Sequence, residues 1–215
     1  MNLLKSLQEI YEEFEVHLLQ DIKPSIYFDE FIKNSIFQEI YPFKLLGGLR
    51  YVEQSINHHP EGNVWNHTML VVDQAARSRQ LSNNPRVFMW AALLHDLGKS
   101  KTTMVRKGKI TAYNHDFEGE ALASNFLNEF NEEIEFVFHV TKMVKWHMQI
   151  LYVTKGMPYS KIGQMLLDVS LNEIALLSLC DRLGRGQMTK ERINEAHASV
   201  KNFIKICESI DLSSN

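Results

Sequence analysis

Cysteine is scarce in this chain, which has two such residues, Cys180 and Cys207, each within an apolar helical pattern. Two isolated cysteines exclude a disulfide-stapled domain, so we expect a reducing, cytoplasmic compartment. No apolar run is long enough to cross a membrane, and the acidic, amphipathic start is not typical of a signal peptide. Repeats and low-complexity segments are also lacking. These absences leave an ordinary globular protein, and 215 residues can bury a substantial core.

Neither sign of charge dominates the whole chain, whose net charge is −3, but the distribution is uneven. Residues 1–40 carry three basic and eight acidic side chains, and residues 111–215 carry ten basic and fourteen acidic ones. Residues 41–110 carry ten basic and four acidic side chains, a net of +6. This positive block favours an anionic substrate. It is too small for an extended duplex, so we expect no DNA duplex as a partner.

Helical periodicity of apolar residues predicts an all-α fold. The predicted helices cover residues 3–20, 26–40, 64–79, 85–96, 116–131, 132–147, 159–168, 171–184 and 189–209. Asn63 and Asn84 are predicted to begin helices, and Gly98 to end one. Residues 104–111 predict a short β-hairpin with a Lys-Gly turn. We interpret 1–45 as a helical N-terminal extension packed on a main domain of 46–215, with a separate dimerisation element as the alternative.

A histidine and an aspartate stand side by side at the end of an apolar helix. His95 follows Ala91 by four residues and so extends the inward face of the helix. Asp96 meets the negative end of the helix dipole there, and burying its carboxylate is costly unless the carboxylate is paired. A bound metal ion would remove both penalties. For an isolated pair, a capping histidine beside a solvated aspartate is the alternative.

Two further polar residues are predicted to point inward. His67 shares the apolar face of the 64–79 helix, and Asp181 continues that of the 171–184 helix. A lone inward histidine is more often a core residue than a ligand, whereas a buried carboxylate needs a partner. With His95 and Asp96 they form a ligand set that suits Fe, Mn, Co, Ni or Zn, while Mg stays open. Their convergence from distant parts of the chain is a prediction.

The order of these residues resembles the pattern of the HD-domain metal-dependent phosphohydrolase superfamily. The matching motifs are Trp65-Asn66-His67-Thr68, Leu94-His95-Asp96-Leu97-Gly98-Lys99 and Cys180-Asp181-Arg182-Leu183-Gly184-Arg185. The resemblance covers roughly residues 55–190. It implies a multi-helix HD bundle, with residues 46–215 as the phosphohydrolase domain. It also implies that His67, His95, Asp96 and Asp181 bind a first metal ion.

The chain is similar, more narrowly, to the HD domain attached to some bacterial tRNA nucleotidyltransferases. The residues that carry this likeness are His59-Pro60-Glu61, Lys99-Ser100-Lys101-Thr102-Thr103, His115 with Gly119, and Asp181 followed by Gly184-Arg185. The catalytic Gly-Ser and paired-aspartate motif of the nucleotidyltransferase head is not found near the start. We therefore expect the HD-type hydrolase without nucleotide addition.

The resemblance also implies roles for residues around the first ligands. His115 and His147 match histidines that hold a second metal ion or contact the phosphate in some members; a phosphate, proton-transfer or structural role stays open for both. Lys99, Lys101 and Arg185 are expected to bind the substrate by neutralising charge on its phosphoryl group. Asp96 and Lys99 are the catalytic candidates, and Asp96 would bridge the ions if two bind.

The expected function is metal-dependent hydrolysis of a phosphomonoester or phosphodiester, with one or two divalent ions, in a nucleotide or another small phosphorylated compound. The alternative is a catalytically silent nucleotide- or RNA-binding HD module linked to RNA metabolism, so RNA stays open as a partner. Hydrolysis in a metal-supplemented substrate screen would favour the enzyme. Salt-sensitive RNA binding without hydrolysis would favour the module.

Overall fold

The computed structural model of the protein describes residues 5–34 and 36–210, with the side chains of residues 36 and 37 left out. It is a bundle of α-helices with one short hairpin, which confirms the predicted fold class. The helices are α1 (Leu7–Gln20), α2 (Ser25–Phe31), α3 (Ile36–Glu39), α4 (Lys44–Gly48), α5 (Val64–Ser78), α6 (Pro85–Leu94), α7 (Lys99–Thr102), α8 (His115–Asn128), α9 (Ile134–Trp146), α10 (Gln149–Thr154), α11 (Ile162–Asp168), α12 (Leu171–Leu183) and α13 (Lys190–Glu208). Short 3-10 turns cover Leu49–Tyr51 and Arg79–Leu81, and the antiparallel strands are β1 (Thr103–Arg106) and β2 (Lys109–Ala112).

Local signals place most helix starts correctly. The side chain of Asn63 accepts the backbone N–H of Asn66 at the start of α5, and Asn84 caps α6 with Pro85 in its first turn. The first predicted helix begins at Leu7 after a capping box, and its predicted start at residue 3 lies outside the described residues. The single helix predicted over 26–40 is wrong, because α2 ends at Phe31, and the backbone N–H groups of Lys33 and Asn34 donate to carbonyls three residues earlier instead of four.

The prediction that Gly98 ends a helix is also wrong. Its backbone is right-handed helical, with φ of −63°, and it caps the start of α7. A Cβ built on Gly98 would lie 1.9 Å from the carbonyl oxygen of His115 and 2.6 Å from the backbone nitrogen of Gly119. The glycine therefore lets the first turns of α8 approach the turn that follows α6.

The N-terminal helices pack on the body of the bundle. Helix α1 contacts α5 and α6, and α2 contacts α5. Phe14, Phe28 and Phe43 are fully buried in one hydrophobic core with the central helices. The carboxylate of Asp73 on α5 accepts hydrogen bonds from the backbone N–H and the hydroxyl of Ser25, at 3.0 and 2.8 Å. The domain boundary at residue 45 stays a prediction.

Helix α6 runs through the middle of the bundle, and residues 87–94 are buried on every side of it. Helices α5, α9 and α12 pack around it, so the turn at its C-terminal end is enclosed. Among the described helices, none by itself has the length and apolar character to cross a membrane; α11 and α12 pass that test only as a pair bent by 105°.

Candidate metal centre

Asp96 lies at the centre of a buried polar cluster, in the turn that follows α6, and is 1% exposed. Its Oδ2 atom is 3.3 Å from Nε2 of His95 and 2.7 Å from Nζ of Lys99. Its Oδ1 atom is 3.5 Å from Nε2 of His115 and 3.8 Å from Nε2 of His147. This carboxylate therefore faces an ammonium group and these three imidazoles, and the imidazole of His67 is a fourth, with its Nε2 atom 3.7 Å from Oδ2.

The imidazoles of His95, His115 and His147 are anchored in the same way, because each Nδ1 lies beside a carbonyl oxygen three residues earlier. The pairs are His95 Nδ1 with Ala92 O at 2.9 Å, His115 Nδ1 with Ala112 O at 2.7 Å, and His147 Nδ1 with Val144 O at 2.6 Å. A carbonyl oxygen only accepts, so each Nδ1 carries the hydrogen and donates it. In the neutral rings each Nε2 atom thus keeps a lone pair that points toward Asp96.

The Nε2 atoms of these three histidines lack hydrogen-bond donors for their lone pairs among the described residues. Nε2 of His95 is buried and has no hydrogen-bond partner among the residues that the structure describes. Nε2 of His115 lies 3.2 Å from Nε2 of His147. Burial lowers the pKa of His115 to about 3, and burial also lowers the pKa of His147. Both rings are therefore neutral near pH 7, and a divalent cation would give these lone pairs an acceptor.

His67 on α5 lies between two carboxylates. Its Nδ1 atom is 2.9 Å from Oε1 of Glu61, and its Nε2 atom is 3.0 Å from Oδ1 of Asp181 on α12. Burial alone would lower the pKa of His67, but the hydrogen bonds to Asp181 and Glu61 outweigh it and raise that pKa. Burial likewise acts to raise the pKa of Asp181, yet its hydrogen bond with His67 contributes to holding that pKa well below its usual range. A metal ion can replace the proton on Nε2, because imidazole nitrogen and carboxylate oxygen are both common ligands.

Two overlapping groups of candidate ligands share Asp96, and a third group, formed by His59, Glu61 and His67, shares His67 with the first of them. His67, His95 and Asp96 each offer an atom within 4.8 Å of the other two, and so do Asp96, His115 and His147. Nε2 of His67 is 3.7 Å from Asp96 and also contacts Asp181. The residues predicted for the first ion and for the second thus lie close together, and these groups could hold a metal ion.

The three cations predicted to bind phosphate, Lys99, Lys101 and Arg185, differ in whether they contact the buried cluster. Nζ of Lys99 bridges Oδ2 of Asp96 and Oε1 of Gln54, each at 2.7 Å. Burial acts to raise the pKa of Asp96, but the charge of Lys99 contributes to holding that pKa well below its usual range. The charge of Arg185 also helps to lower the pKa of Asp181. Lys101 is exposed on α7, and no described contact joins it to the cluster.

Glu61 is a member of the cluster to which sequence reasoning assigned no role. Its Oε1 atom is 2.9 Å from Nδ1 of both His59 and His67, and its Oε2 atom accepts the backbone N–H of Gly186 at 2.9 Å. Burial acts to raise the pKa of Glu61, but the hydrogen bonds with His59 and His67 lower it. His59 therefore adjoins the centre through Glu61. The one available signal was that Glu61 is the only acidic residue of the turn over 54–63.

Comparison with known proteins agrees with this geometry. The family model described as the HD domain matches residues 64–186, more than half of the chain. A multifunctional CCA protein of Actinobacillus pleuropneumoniae is 28% identical over 203 residues, which cover 88% of this chain and 46% of that protein. Multifunctional CCA proteins of Haemophilus influenzae and Aromatoleum aromaticum are 35% identical over 39% of the chain and 49% identical over 24%, covering 20% and 12% of those proteins.

The chain spans about half the length of the first of these relatives, and shorter shares of the other two. The family match includes all four residues predicted to bind the first ion, from His67 to Asp181. The likeness inferred from the sequence motifs is thereby confirmed. The chain belongs to the HD domain family.

Proposed function

We propose that the protein is a metal-dependent phosphohydrolase that acts on a nucleotide or another small phosphorylated compound, as a phosphomonoesterase or a phosphodiesterase. The observation that carries this proposal is the buried carboxylate of Asp96, shared by two groups of metal-ligand atoms. The multifunctional CCA proteins among its relatives favour a nucleotide or an RNA end as the carrier of the phosphate. Both cysteines are free and buried, which supports a reducing, cytoplasmic location.

His67, His95, Asp96 and Asp181 would hold one divalent ion, and His115 and His147 would hold a second with Asp96. The mixed nitrogen and oxygen ligands suit Fe, Mn, Co, Ni or Zn. When bound, such an ion supplies Lewis-acid polarisation of a phosphoryl oxygen and lowers the pKa of water.

The remaining residues would neutralise charge on the phosphoryl group of the substrate or hold a metal ion. Lys99, 2.7 Å from Asp96, places a positive charge at the edge of the ligand groups, where it would offset charge that develops on the phosphoryl oxygens. Arg185 would act in the same way beside Asp181. The fixed Nδ1–H of His115 and His147 leaves Nε2 as a lone pair on each ring, which favours a ligand role over protonation of the leaving oxygen.

A catalytically silent nucleotide- or RNA-binding module is the second candidate. It is favoured by two contacts, the first of which is that of Lys99, which already provides Asp96 with an internal cation. His67 also satisfies Asp181 with a hydrogen bond that needs no metal ion. In such a module these two contacts would replace the ion.

A substrate screen separates the two candidates. The protein, supplemented in turn with Mn²⁺, Co²⁺, Ni²⁺, Zn²⁺ and Mg²⁺, would be assayed with p-nitrophenyl phosphate, bis-p-nitrophenyl phosphate, mononucleotides, cyclic nucleotides and nucleoside polyphosphates. We expect metal-dependent hydrolysis that Asp96→Asn abolishes and the exposed control Glu195→Gln keeps. Hydrolysis that persists in Asp96→Asn contradicts the proposed centre, and no hydrolysis of any substrate supports the silent module.

A further inference from the structure

Two exposed aromatic rings flank the part of the cluster that contains His115. Tyr113 precedes α8 and is 65% exposed, and Phe117 lies in the first turn of α8 and is 44% exposed. His115 stands between them in the chain and is buried beneath the surface. Each ring is therefore two residues along the chain from His115, a member of the group formed by Asp96, His115 and His147.

Each ring has a cation over one face. The guanidinium of Arg106 is 5.4 Å from the centre of the Tyr113 ring, and Nζ of Lys161 is 5.7 Å from the centre of the Phe117 ring. Within the described part of the chain, neither Arg106 nor Lys161 has an acidic partner in a salt bridge. Their charges are therefore available to an anion from outside. We call Arg106, Tyr113, Phe117 and Lys161 the aromatic rim.

A second pair of an exposed ring and a cation occurs in the protein, and in that pair neighbouring carboxylates neutralise the charge of the cation. Phe138 on α9 is also 44% exposed, and Nζ of Lys142 is 5.3 Å from its ring centre. Lys142, however, is 2.7 Å from Glu120 and 3.8 Å from Asp168. The charge of Lys142 at Phe138 is thus compensated internally. Lys145, 5.8 Å from the centre of the Phe117 ring, is likewise paired with Glu120 at 3.1 Å, whereas Arg106 and Lys161 have no such partner among the described residues.

The rim adjoins the candidate metal centre through short connections. The backbone N–H of Lys161 donates to Oε1 of Gln149 at 2.9 Å, and Gln149 follows His147 by two residues. Tyr113 and Phe117 are each two residues from His115. A ligand on the rim would therefore lie next to the histidines of the second group.

We propose that the aromatic rim binds a single-stranded segment of nucleic acid, with bases stacked on Tyr113 and Phe117 and phosphates paired with Arg106 and Lys161. Exposed rings alternating with unpaired cations provide the two contacts that an unpaired strand offers, a base face and a backbone charge. A nucleic-acid duplex fits the rim less well, because its base faces are stacked inside the helix. An apolar protein surface also fits less well, because it would leave the two cations without anionic partners. The inference rests on the proposed function in that the bound strand would present its phosphate to the metal centre.

Fluorescence anisotropy with a fluorescein-labelled hexa-adenylate RNA, the matching DNA and a 12-base-pair duplex tests this inference on the full chain. We expect Tyr113→Ala and Phe117→Ala each to weaken binding of the single strands by about tenfold. Lys161→Glu should also weaken it and reduce its dependence on salt. The matched control, Phe138→Ala, should bind as the wild type does. Equal binding of RNA and DNA supports recognition of any single strand, and tighter RNA binding supports an RNA partner.

Several outcomes would overturn the inference: no binding by the wild type, tighter binding of the duplex, or ring variants as tight as Phe138→Ala. Circular dichroism would check that each variant is folded; Lys161 is exposed, so Lys161→Glu keeps the test valid if Phe117→Ala does not fold. The wild type's hydrolysis screen is a separate measurement. Binding that depends on the rim without hydrolysis refutes the proposed enzyme alone, and hydrolysis without such binding refutes the rim alone.

Discussion

Replacing Gly98 by alanine tests how the fold positions His115. The added Cβ would lie 1.9 Å from the carbonyl oxygen of His115, whereas Cβ atoms in proteins essentially never approach closer than 3.0 Å. The first turn of α8 must therefore retreat by roughly 1 Å or more, since the three nearest atoms that the added Cβ would meet all belong to the backbone. Overpacking of this kind costs about 1–3 kcal/mol, which in a protein of this size lowers the melting temperature by about 2–12 °C.

The retreat should also move the imidazole of His115 away from Asp96 and His147, now 3.5 and 3.2 Å from its Nε2 atom. Gly48→Ala is the control, because Gly48 has a helical φ of −60° and a Cβ there would meet nothing within 4 Å. Alanine at that position should be neutral or stabilise by about 0.4–1 kcal/mol. Differential scanning calorimetry and a Co²⁺ titration would measure both variants. A Gly98→Ala protein as stable as Gly48→Ala, with unchanged Co²⁺ binding, would refute the reasoning.

Three further predictions follow from individual contacts. Glu61→Gln should weaken Co²⁺ binding by about 10- to 100-fold in a calorimetric titration, since Glu61 orients His67; affinity equal to that of the Glu195→Gln control would refute this. Asp73→Ala should lower the free energy of unfolding in urea by about 1–3 kcal/mol, because it leaves two donors of Ser25 unpaired, and an unchanged midpoint would contradict the contact. Burial raises the pKa of the Cys180 thiol to about 12, so iodoacetamide at pH 8 should modify it only after unfolding; rapid labelling of the native protein would disprove its burial.

Much of the centre is predictable because its residues continue periodic apolar faces. Val64, His67 and Val71 are all fully buried on α5, as their spacing predicts. Asp181 follows Ile174 and Leu177, both fully buried, by steps that keep it on their side of α12. A polar residue at such a position needs a buried partner, and the order of residues along the chain is enough to indicate that requirement.

Residues whose role depends on distant backbone are not predictable in this way. Glu61 lies in a turn, where no periodicity indicates which side chain points inward, and its hydrogen bond to Gly186 joins positions far apart in the sequence. A glycine after a helix commonly ends it, yet the need for Gly98 comes from the carbonyl of His115 on another helix. Neither contact produces a recognisable pattern in the sequence around these residues.

The metal content of the protein and of Asp96→Ala tests the central claim most directly. Both proteins, together with the Glu195→Gln control, would be equilibrated with a mixture of Fe²⁺, Mn²⁺, Co²⁺, Ni²⁺ and Zn²⁺, desalted, and measured by inductively coupled plasma mass spectrometry. Because Asp96 is shared by both ligand groups, we expect at least one ion per chain in the wild type and the control, and loss of all bound metal in a still helical Asp96→Ala protein. A wild type that retains no metal, or an Asp96→Ala protein that retains as much as the wild type, would contradict the account.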